Sequence, residues 1–373
     1  MTVGTAQRYR FLDGLRGWAA VVVLLHHLFV DGLPPNSLFA DRALWSSVFF
    51  MNGAFAVCVF FVVSGFSLSV RFLETGDPRS LARIALGRYV RLAVPIAAIC
   101  AATYVLLATG VLPPALQRPS PLDQFLTFAP DIAGLLRFSF VNVFVSYSNA
   151  ETYNPPLWTM SYEFFGSFLT FAVIAVARPW SARIWVFGAL FIALAGCQSY
   201  YALFVAGILL ADLHRRLAGS RTGDIFGALL CAVGLAAVSL PHHAAFDLAY
   251  VVGATGLTAG VAFCAPLRVL FESRVSDLLG RLSFPLYLSQ AAVIYVFSVH
   301  ALHALSGMGL EPSAARWLIN VATIPIALAA AVAFAPVNDF AVVASRRFGA
   351  AAAAWLEGIG RRMLPPSAAA KRG

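Results

Sequence analysis

The sequence predicts an all-α membrane protein, a bundle of about ten transmembrane helices with both termini in the cytoplasm. Of its 373 residues, 60% are hydrophobic and only 12% are charged, and the mean hydropathy is +0.80, far from the balance of a soluble domain. Apolar runs long enough to cross a hydrocarbon core of roughly 30 Å recur from residue 11 to residue 343. Runs such as AVCVFFVVSGF are apolar on every side, which predicts helices rather than the alternating strands of a barrel.

The first apolar segment, RYRFLDGLRGWAAVVVLLHHLFV, predicts a retained helix rather than a cleaved signal peptide. It contains Asp13, Arg16 and two histidines, and no small-x-small cleavage site follows it. The full set of predicted helices covers residues 11–30, 46–70, 88–109, 157–177, 182–198, 199–213, 225–240, 247–265, 284–304 and 316–343.

The distribution of basic residues predicts the orientation of this bundle. An even number of crossings places both termini on one side, and most of the 26 Lys and Arg residues then fall in loops on that side. The positive-inside rule therefore predicts cytoplasmic termini. Residues 110–156 are interpreted as an external loop with a re-entrant or interfacial piece.

The helices between residues 182 and 213 have an alternative arrangement. The short predicted crossings at 182–198 and 199–213 are split at CQSYY, and the alternative is one long helix there if residues 132–147 also cross. Residues 1–345 are predicted to form the membrane domain, and the Ala-rich residues 346–373 a partly disordered cytoplasmic tail.

The cysteines and the net charge exclude several classes of function. Cys58, Cys100, Cys197, Cys231 and Cys264 lie singly in apolar segments, so they predict small buried hydrophobes and neither a disulfide framework nor a metal site. The net charge of +9 comes mainly from arginines in short loops. Because no separate basic domain is present, we expect no nucleic-acid partner.

Ionisable residues inside the first helix are the strongest functional signal. Arg16 and His27 are eleven residues apart, which is within roughly 20° of three helical turns and about 16 Å along the axis. They therefore share one face at different depths. His26 lies about 80° off that line, so we expect it to pack against or hydrogen-bond to a neighbouring helix. His27 is the candidate functional imidazole, since burying it in a membrane is costly.

A second signal is the stretch NPPLWTMSYEFFGS. Its prolines suit a helix start, and Glu163 then falls about 9 Å from the outer end, nearly the depth of His27. A carboxylate beside an imidazole fixes its tautomer and raises its basicity, so the two residues predict a general base. The alternative is that Glu163 pairs with another helix for stability.

A third signal is the stretch GRYVRLAVP. It places Arg88 and Arg91 at i and i+3 on one face, at the predicted start of the third helix. With Arg16 they would surround a cytoplasmic mouth suited to phosphates. The alternative is that they only obey the positive-inside rule. Ser64 and Gly65, in FFVVSGFSLSV, predict close helix packing rather than contact with a ligand.

Taken together, these motifs resemble one family. The matching elements, in chain order, are FLDGLRGWAAVVVLLHH, FFVVSGFSL, RYVRLAVP, PPLWTMSYEFF, FVAGILLA and LGRLSFPLYLSQ. The chain resembles the acyltransferase-3 family of integral membrane O-acyltransferases, which transfer acetyl or other acyl groups onto sugars, macrolides and similar acceptors in bacteria. The resemblance extends from residue 8 to about residue 345.

The resemblance implies a multi-pass protein of the bacterial cytoplasmic membrane. It implies an acyl-CoA donor, with acetyl-CoA as the expected one, and no metal. It implies that Arg16 and His27 occupy the paired essential positions. Arg88 and Arg91 would be the family's Arg-x-x-Arg that binds the donor, and Glu163 its Ser-x-Glu glutamate. The acceptor would be a carbohydrate or small-molecule hydroxyl.

One position departs from the family pattern. Many relatives have a histidine where this chain has Gln290, which can hydrogen-bond but cannot titrate. The alternative function is a proton-coupled transporter or flippase, because such carriers also use intramembrane Arg, His and Glu. Against it, the sequence shows no inverted repeat.

Overall fold

The computed structural model describes residues 9–177, 179–240 and 247–363, in which all regular structure is helical. This confirms the all-α membrane architecture. The helices of seven residues or more, labelled in chain order, are α1 Arg10–His26, α2 Gly53–Thr75, α3 Pro78–Ala108, α4 Ile132–Val145, α5 Thr159–Ala177, α6 Arg183–Gly196, α7 Tyr201–Leu217, α8 Arg221–Val238, α9 Leu248–Phe263, α10 Ala265–Phe271, α11 Arg274–Gly307 and α12 Pro312–Met363. A π-helical turn, His27–Gly32, extends α1, and a 3₁₀ turn, Pro155–Trp158, precedes α5.

The number of helices that could cross a membrane is smaller than predicted. Within the described ranges seven are long and apolar enough, or eight if α9 and α10, which are bent by 99°, form one broken span. The predicted count of about ten is therefore not confirmed. The difference arises largely at α6 and α7, which have 14 and 17 residues, fewer than the roughly 20 that a perpendicular crossing needs. The cytoplasmic position of the termini stays a prediction.

The segment after α5 forms two helices, as preferred from the sequence. The chain breaks between α6 and α7, where Gln198 adopts a left-handed backbone conformation with φ of 54°. The alternative of one long helix over residues 182–213 is wrong. The prediction for the cysteines is correct at four positions, whereas Cys197, in this break, is exposed.

Helix α3 begins ten residues earlier than predicted. Asp77 caps its N-terminus by accepting a hydrogen bond from the Arg79 backbone N–H at 3.0 Å, and Pro78 occupies the first turn, where a missing N–H costs nothing. Arg88 and Arg91 consequently lie about 15 and 20 Å along the helix from its first residue. The prediction that they lie at the start of a helix is therefore wrong.

Helix α12 has 52 residues and runs without interruption past residue 345. It packs along α3, and an ion pair joins Arg79 to Glu357 at 3.4 Å. The predicted domain boundary at 345/346 therefore coincides with no helix end, and residues 346–363 continue the helix. Residues 364–373 of the predicted tail lie outside the described residues.

Helices α2 and α7 approach closely enough to fix the rotation of α2. A Cβ atom on Gly65 would lie 2.1 Å from the Phe204 carbonyl oxygen, and one on Gly207 would lie 2.2 Å from the Val62 carbonyl oxygen. Only glycine permits this separation of two backbones. The face of α2 that carries Ser64 is thereby held towards α1 and α5.

Candidate active site

The two histidines of α1 have different environments. His26 forms two hydrogen bonds: its Nδ1 lies 2.9 Å from the Met51 carbonyl oxygen, just before α2, and its Nε2 lies 3.0 Å from Asp31 Oδ2. The second oxygen of Asp31 pairs with Arg42 at 3.1 Å. The His26 ring also packs against Gly53, the first residue of α2, so the prediction that it packs against or hydrogen-bonds to a neighbouring helix is confirmed.

The π-helical turn explains how Asp31 reaches His26. Residues five apart on an α-helix point about 140° away from each other. In a π-helix the wider turn brings i and i+5 together, and such turns are frequent at functional sites. The pairing of Asp31 with His26 could not be predicted from an α-helical projection, which places Asp31 near the face of His27 but about 140° from His26.

His27 lines a cavity of about 550 Å³, here called the His27 cavity. Asp31 and Arg42 are the other ionisable lining groups apart from tyrosine, and they pair with each other. The remaining lining side chains are mainly aromatic, apolar or amide: Pro121, Leu122, Gln124, Phe125, Tyr147, Asn149, Pro155, Pro156, Trp158, Ala291, Ile294 and Tyr295. A smaller cavity of about 170 Å³ also touches His27, Asp31, Pro156 and Trp158. The imidazole therefore faces space large enough for part of a substrate.

Tyr147 fixes one wall of the His27 cavity. Its hydroxyl donates a hydrogen bond to the Pro155 carbonyl oxygen at 2.8 Å. Burial raises the pKa of Tyr147 to about 12. The phenol therefore stays protonated, and remains a donor, at physiological pH.

A second group of polar residues, here called the arginine cluster, consists of Arg16, Ser64, Arg88, Arg91, Glu163 and Ser167. Arg16 Nη2 donates to Ser64 Oγ at 3.1 Å, and Ser64 Oγ donates to Glu163 Oε1 at 2.8 Å. Ser64 thus links two charged residues of neighbouring helices, in addition to the close helix packing predicted for this stretch.

Arg88 is the ion-pair partner of Glu163. Its Nη2 contacts Glu163 Oε1, and its Nε donates to Ser167 Oγ at 2.8 Å. Both charged side chains are largely buried, 12% and 13% exposed. Burial of a charge is tolerated only with such pairing and hydrogen bonding.

The predicted contact between Glu163 and His27 is therefore not formed. Glu163 lies seven residues beyond Pro156, which lines the His27 cavity, a separation of about 10 Å along the helix. The sequence gives the depth of His27 and of Glu163 only relative to the end of its own helix, and the ends of these two helices are not at the same height. The alternative considered for Glu163, pairing with another helix, is the one that the structure shows.

Arg16 and Arg91 differ from Arg88, since neither forms an ion pair within the described part of the chain. Arg91 lies over the Phe284 ring, 5.4 Å from its centroid, and its buried Nη1 has no hydrogen-bond partner there. An unpaired guanidinium in a partly buried position is a strong candidate to bind an anion.

Helices α1 and α2 set the distance between the cavity and the cluster. They run antiparallel, with the Cα region of Gly53 beside the His26 ring and Ser64 beside Arg16. The eleven residues from Gly53 to Ser64, like those from Arg16 to His27, correspond to about 16 Å. The predicted placement of Arg16 and His27 at different depths is in agreement with these contacts.

Comparison with known families gives a match over residues 9–336, to the acyltransferase-3 model described as an acyltransferase domain. The chain belongs to the acyltransferase-3 family. No significant match was found among curated proteins or among solved structures. The family and the apolar helices together make the protein a membrane acyltransferase.

In this acyltransferase, the departure at Gln290 falls in the core of α11. Gln290 is fully buried, and its Nε2 donates to the Tyr287 carbonyl oxygen at 3.3 Å. Its side chain also lies within hydrogen-bonding reach of the His27 imidazole. The next residue, Ala291, lines the His27 cavity. An amide here supplies hydrogen bonding but no second proton-transfer group.

Proposed function

We propose that the protein is an O-acyltransferase of the bacterial cytoplasmic membrane. It would transfer an acyl group, with acetyl as the expected group, from acyl-CoA to a hydroxyl group. That hydroxyl would belong to a sugar or to another acceptor that is secreted or part of the cell envelope. The observation that carries this proposal is that His27 faces a cavity of about 550 Å³ while Arg16, on the same helix, belongs to a cluster with unpaired guanidiniums.

The arginine cluster supports a phosphate-bearing donor. Arg16 and Arg91 form no ion pair within the described part of the chain, although Asp339 and Glu163 act on Arg91 electrostatically, and guanidinium suits phosphate geometry. Arg88 contributes less directly, because Glu163 and Ser167 hold two of its nitrogens. An extended pantetheine arm is long enough to cover the distance of about 16 Å from Arg16 to His27.

The His27 cavity supports general-base chemistry on the acceptor. His27 would take the proton of the acceptor hydroxyl as the oxygen attacks the thioester carbonyl. The new C–O bond forms, the C–S bond breaks, and the proton on the imidazole passes to the departing thiolate. Asp31 and Arg42 neutralise each other at the cavity wall, which favours an acceptor without charge at the part that enters.

The proposal is tested with purified protein in lipid nanodiscs, isotope-labelled acetyl-CoA and a panel of neutral hydroxyl acceptors. We expect His27→Gln to reduce transfer by about 100-fold or more while thermal unfolding is unchanged. His214→Gln, on α7 in an aromatic cluster, is the matched control and should retain transfer. Near-normal transfer by His27→Gln would contradict the proposal.

A further inference from the structure

Residues 111–126, here called the wall segment, form one side of the His27 cavity. Pro121, Leu122, Gln124 and Phe125 all line the cavity and all belong to this segment. Its regular structure is limited to two single 3₁₀ turns, Ala115–Gln117 and Leu122–Gln124. So little backbone hydrogen bonding cannot by itself fix the shape of a substrate-binding wall.

The buried guanidinium of Arg118 supplies hydrogen bonds that the backbone of the wall segment does not form within itself. Arg118 is only 5% exposed, and it donates to three main-chain carbonyl oxygens. Its Nη1 bonds to Leu122 O at 3.2 Å and Phe125 O at 2.7 Å, and its Nη2 bonds to Leu126 O at 3.2 Å. These bonds hold both ends of the stretch that lines the cavity.

Arg118 also connects the wall segment to helix α11, which carries Tyr295. Its guanidinium lies 5.5 Å from the centroid of the Tyr295 ring, and Tyr295 itself lines the His27 cavity. Desolvation lowers the pKa of Arg118, but guanidinium is basic enough to keep its charge. A cation over an aromatic ring and three carbonyls offset the cost of burying that charge.

Two histidines from the end of α11 anchor the beginning of the wall segment. His300 Nε2 lies 2.8 Å from the Val111 carbonyl oxygen, and His303 Nε2 lies 2.7 Å from the Gln117 carbonyl oxygen. The segment is therefore attached to α11 at its start and organised internally by Arg118. Its conformation is therefore supported by side-chain contacts with backbone carbonyl groups.

We infer that Arg118 is a positioning residue that sets the acceptor selectivity of the enzyme. This inference rests on the proposed function. Arg118 does not line the cavity, but it fixes Gln124 and Phe125, which do. Lysine could not replace it, because one ammonium cannot reach three carbonyls in the fork geometry of a guanidinium. The arginine cluster that would bind the donor lies about 16 Å from His27 along α1, and no residue of the wall segment belongs to it.

The test compares Arg118→Met with Arg215→Met in nanodiscs, using acetyl-CoA and two neutral acceptors of different size. Arg215 is the matched control, since it also donates to a backbone carbonyl, that of Leu73 at 2.8 Å, away from the cavity. We expect Arg118→Met to raise the acceptor KM by about tenfold and to change the preference between the two acceptors. The donor KM should stay within about twofold.

A second measurement keeps the inference testable if Arg118→Met transfers too little to analyse. Hydrogen exchange of the amides in 118–126 should increase in Arg118→Met and not in Arg215→Met. Gln124→Ala, which leaves the scaffold intact, should alter the preference between the two acceptors on its own.

The outcomes separate the inference from the proposed function. Unchanged acceptor KM and unchanged exchange in Arg118→Met, beside an active wild type, would overturn the inference alone. Unchanged acceptor preference in Gln124→Ala would do the same. If the wild type transfers no acyl group to any acceptor while its His27→Gln variant is indistinguishable from it, the proposed function fails first.

Discussion

The pairing of Arg88 with Glu163 makes a prediction with a calculable size. Both side chains are nearly nine-tenths buried, so removal of one charge leaves the other without a partner in a poorly solvated position. Breaking such a pair costs about 3 to 5 kcal/mol in the free energy of unfolding. We place Glu163→Gln near the lower end, at about 3 kcal/mol, because Ser64 and Ser167 still offer hydrogen bonds.

The assay is a double-mutant cycle of Glu163→Gln, Arg88→Met and the double variant, by equilibrium unfolding in mixed detergent micelles. The expected coupling energy is about 2 to 3 kcal/mol, so the double variant should be far less destabilised than the sum of the single variants. The control cycle on Arg79 and Glu357, which are 68% and 41% exposed, should give about 0.5 kcal/mol.

Additive effects of the two substitutions would refute this account of the arginine cluster. So would a Glu163→Gln variant of normal stability whose transfer activity has a shifted pH dependence. That second result would show that Glu163 acts on His27, as first expected from the sequence, rather than on Arg88.

Three further predictions concern the scaffold of the site. Asp31→Asn should lower the transfer rate about tenfold by loosening the π-helical turn, with a normal rate as the contrary result. Gly65→Val should destabilise the protein by about 3 kcal/mol through a backbone clash, whereas Gly188→Val, where a Cβ meets open space, should be neutral; equal effects would contradict the close approach. Tyr147→Phe should cost about 1 kcal/mol at pH 8. The pKa of Tyr147 is raised in the folded protein, so the stability difference between wild type and Tyr147→Phe is fully present below pH 10 and is lost as the pH rises through about 12. Thermal unfolding of both proteins below pH 10 and near pH 12 would check this.

Features that depend on composition and helical periodicity could be predicted from the sequence. The all-α membrane class, the separate depths of Arg16 and His27, and the outward bonding of His26 all follow from local patterns. The start of α3 could also have been predicted, since Asp77 before Pro78 is a regular N-cap signal.

Features that depend on how helices meet could not be predicted in the same way. Glu163 was assigned to His27 by depth alone, but the relative height and rotation of two helices are set by packing, here by contacts such as Gly65 against Phe204. Asp31 was missed because a π-helical turn has no sequence signature. The bonds of Arg118 to three carbonyls join residues of an irregular segment, for which periodicity gives no information.

The central claim is that His27 performs acyl transfer to a hydroxyl acceptor. The most direct test is mass spectrometry of surface glycans, secreted polysaccharide and small metabolites from the native strain, a gene deletion, and the deletion complemented with wild type or His27→Ala. The account predicts that one alkali-labile acyl group disappears in the deletion and returns only with the wild-type gene. Unchanged acylation in all four strains, with a solute or lipid accumulating on one side of the membrane, would contradict it.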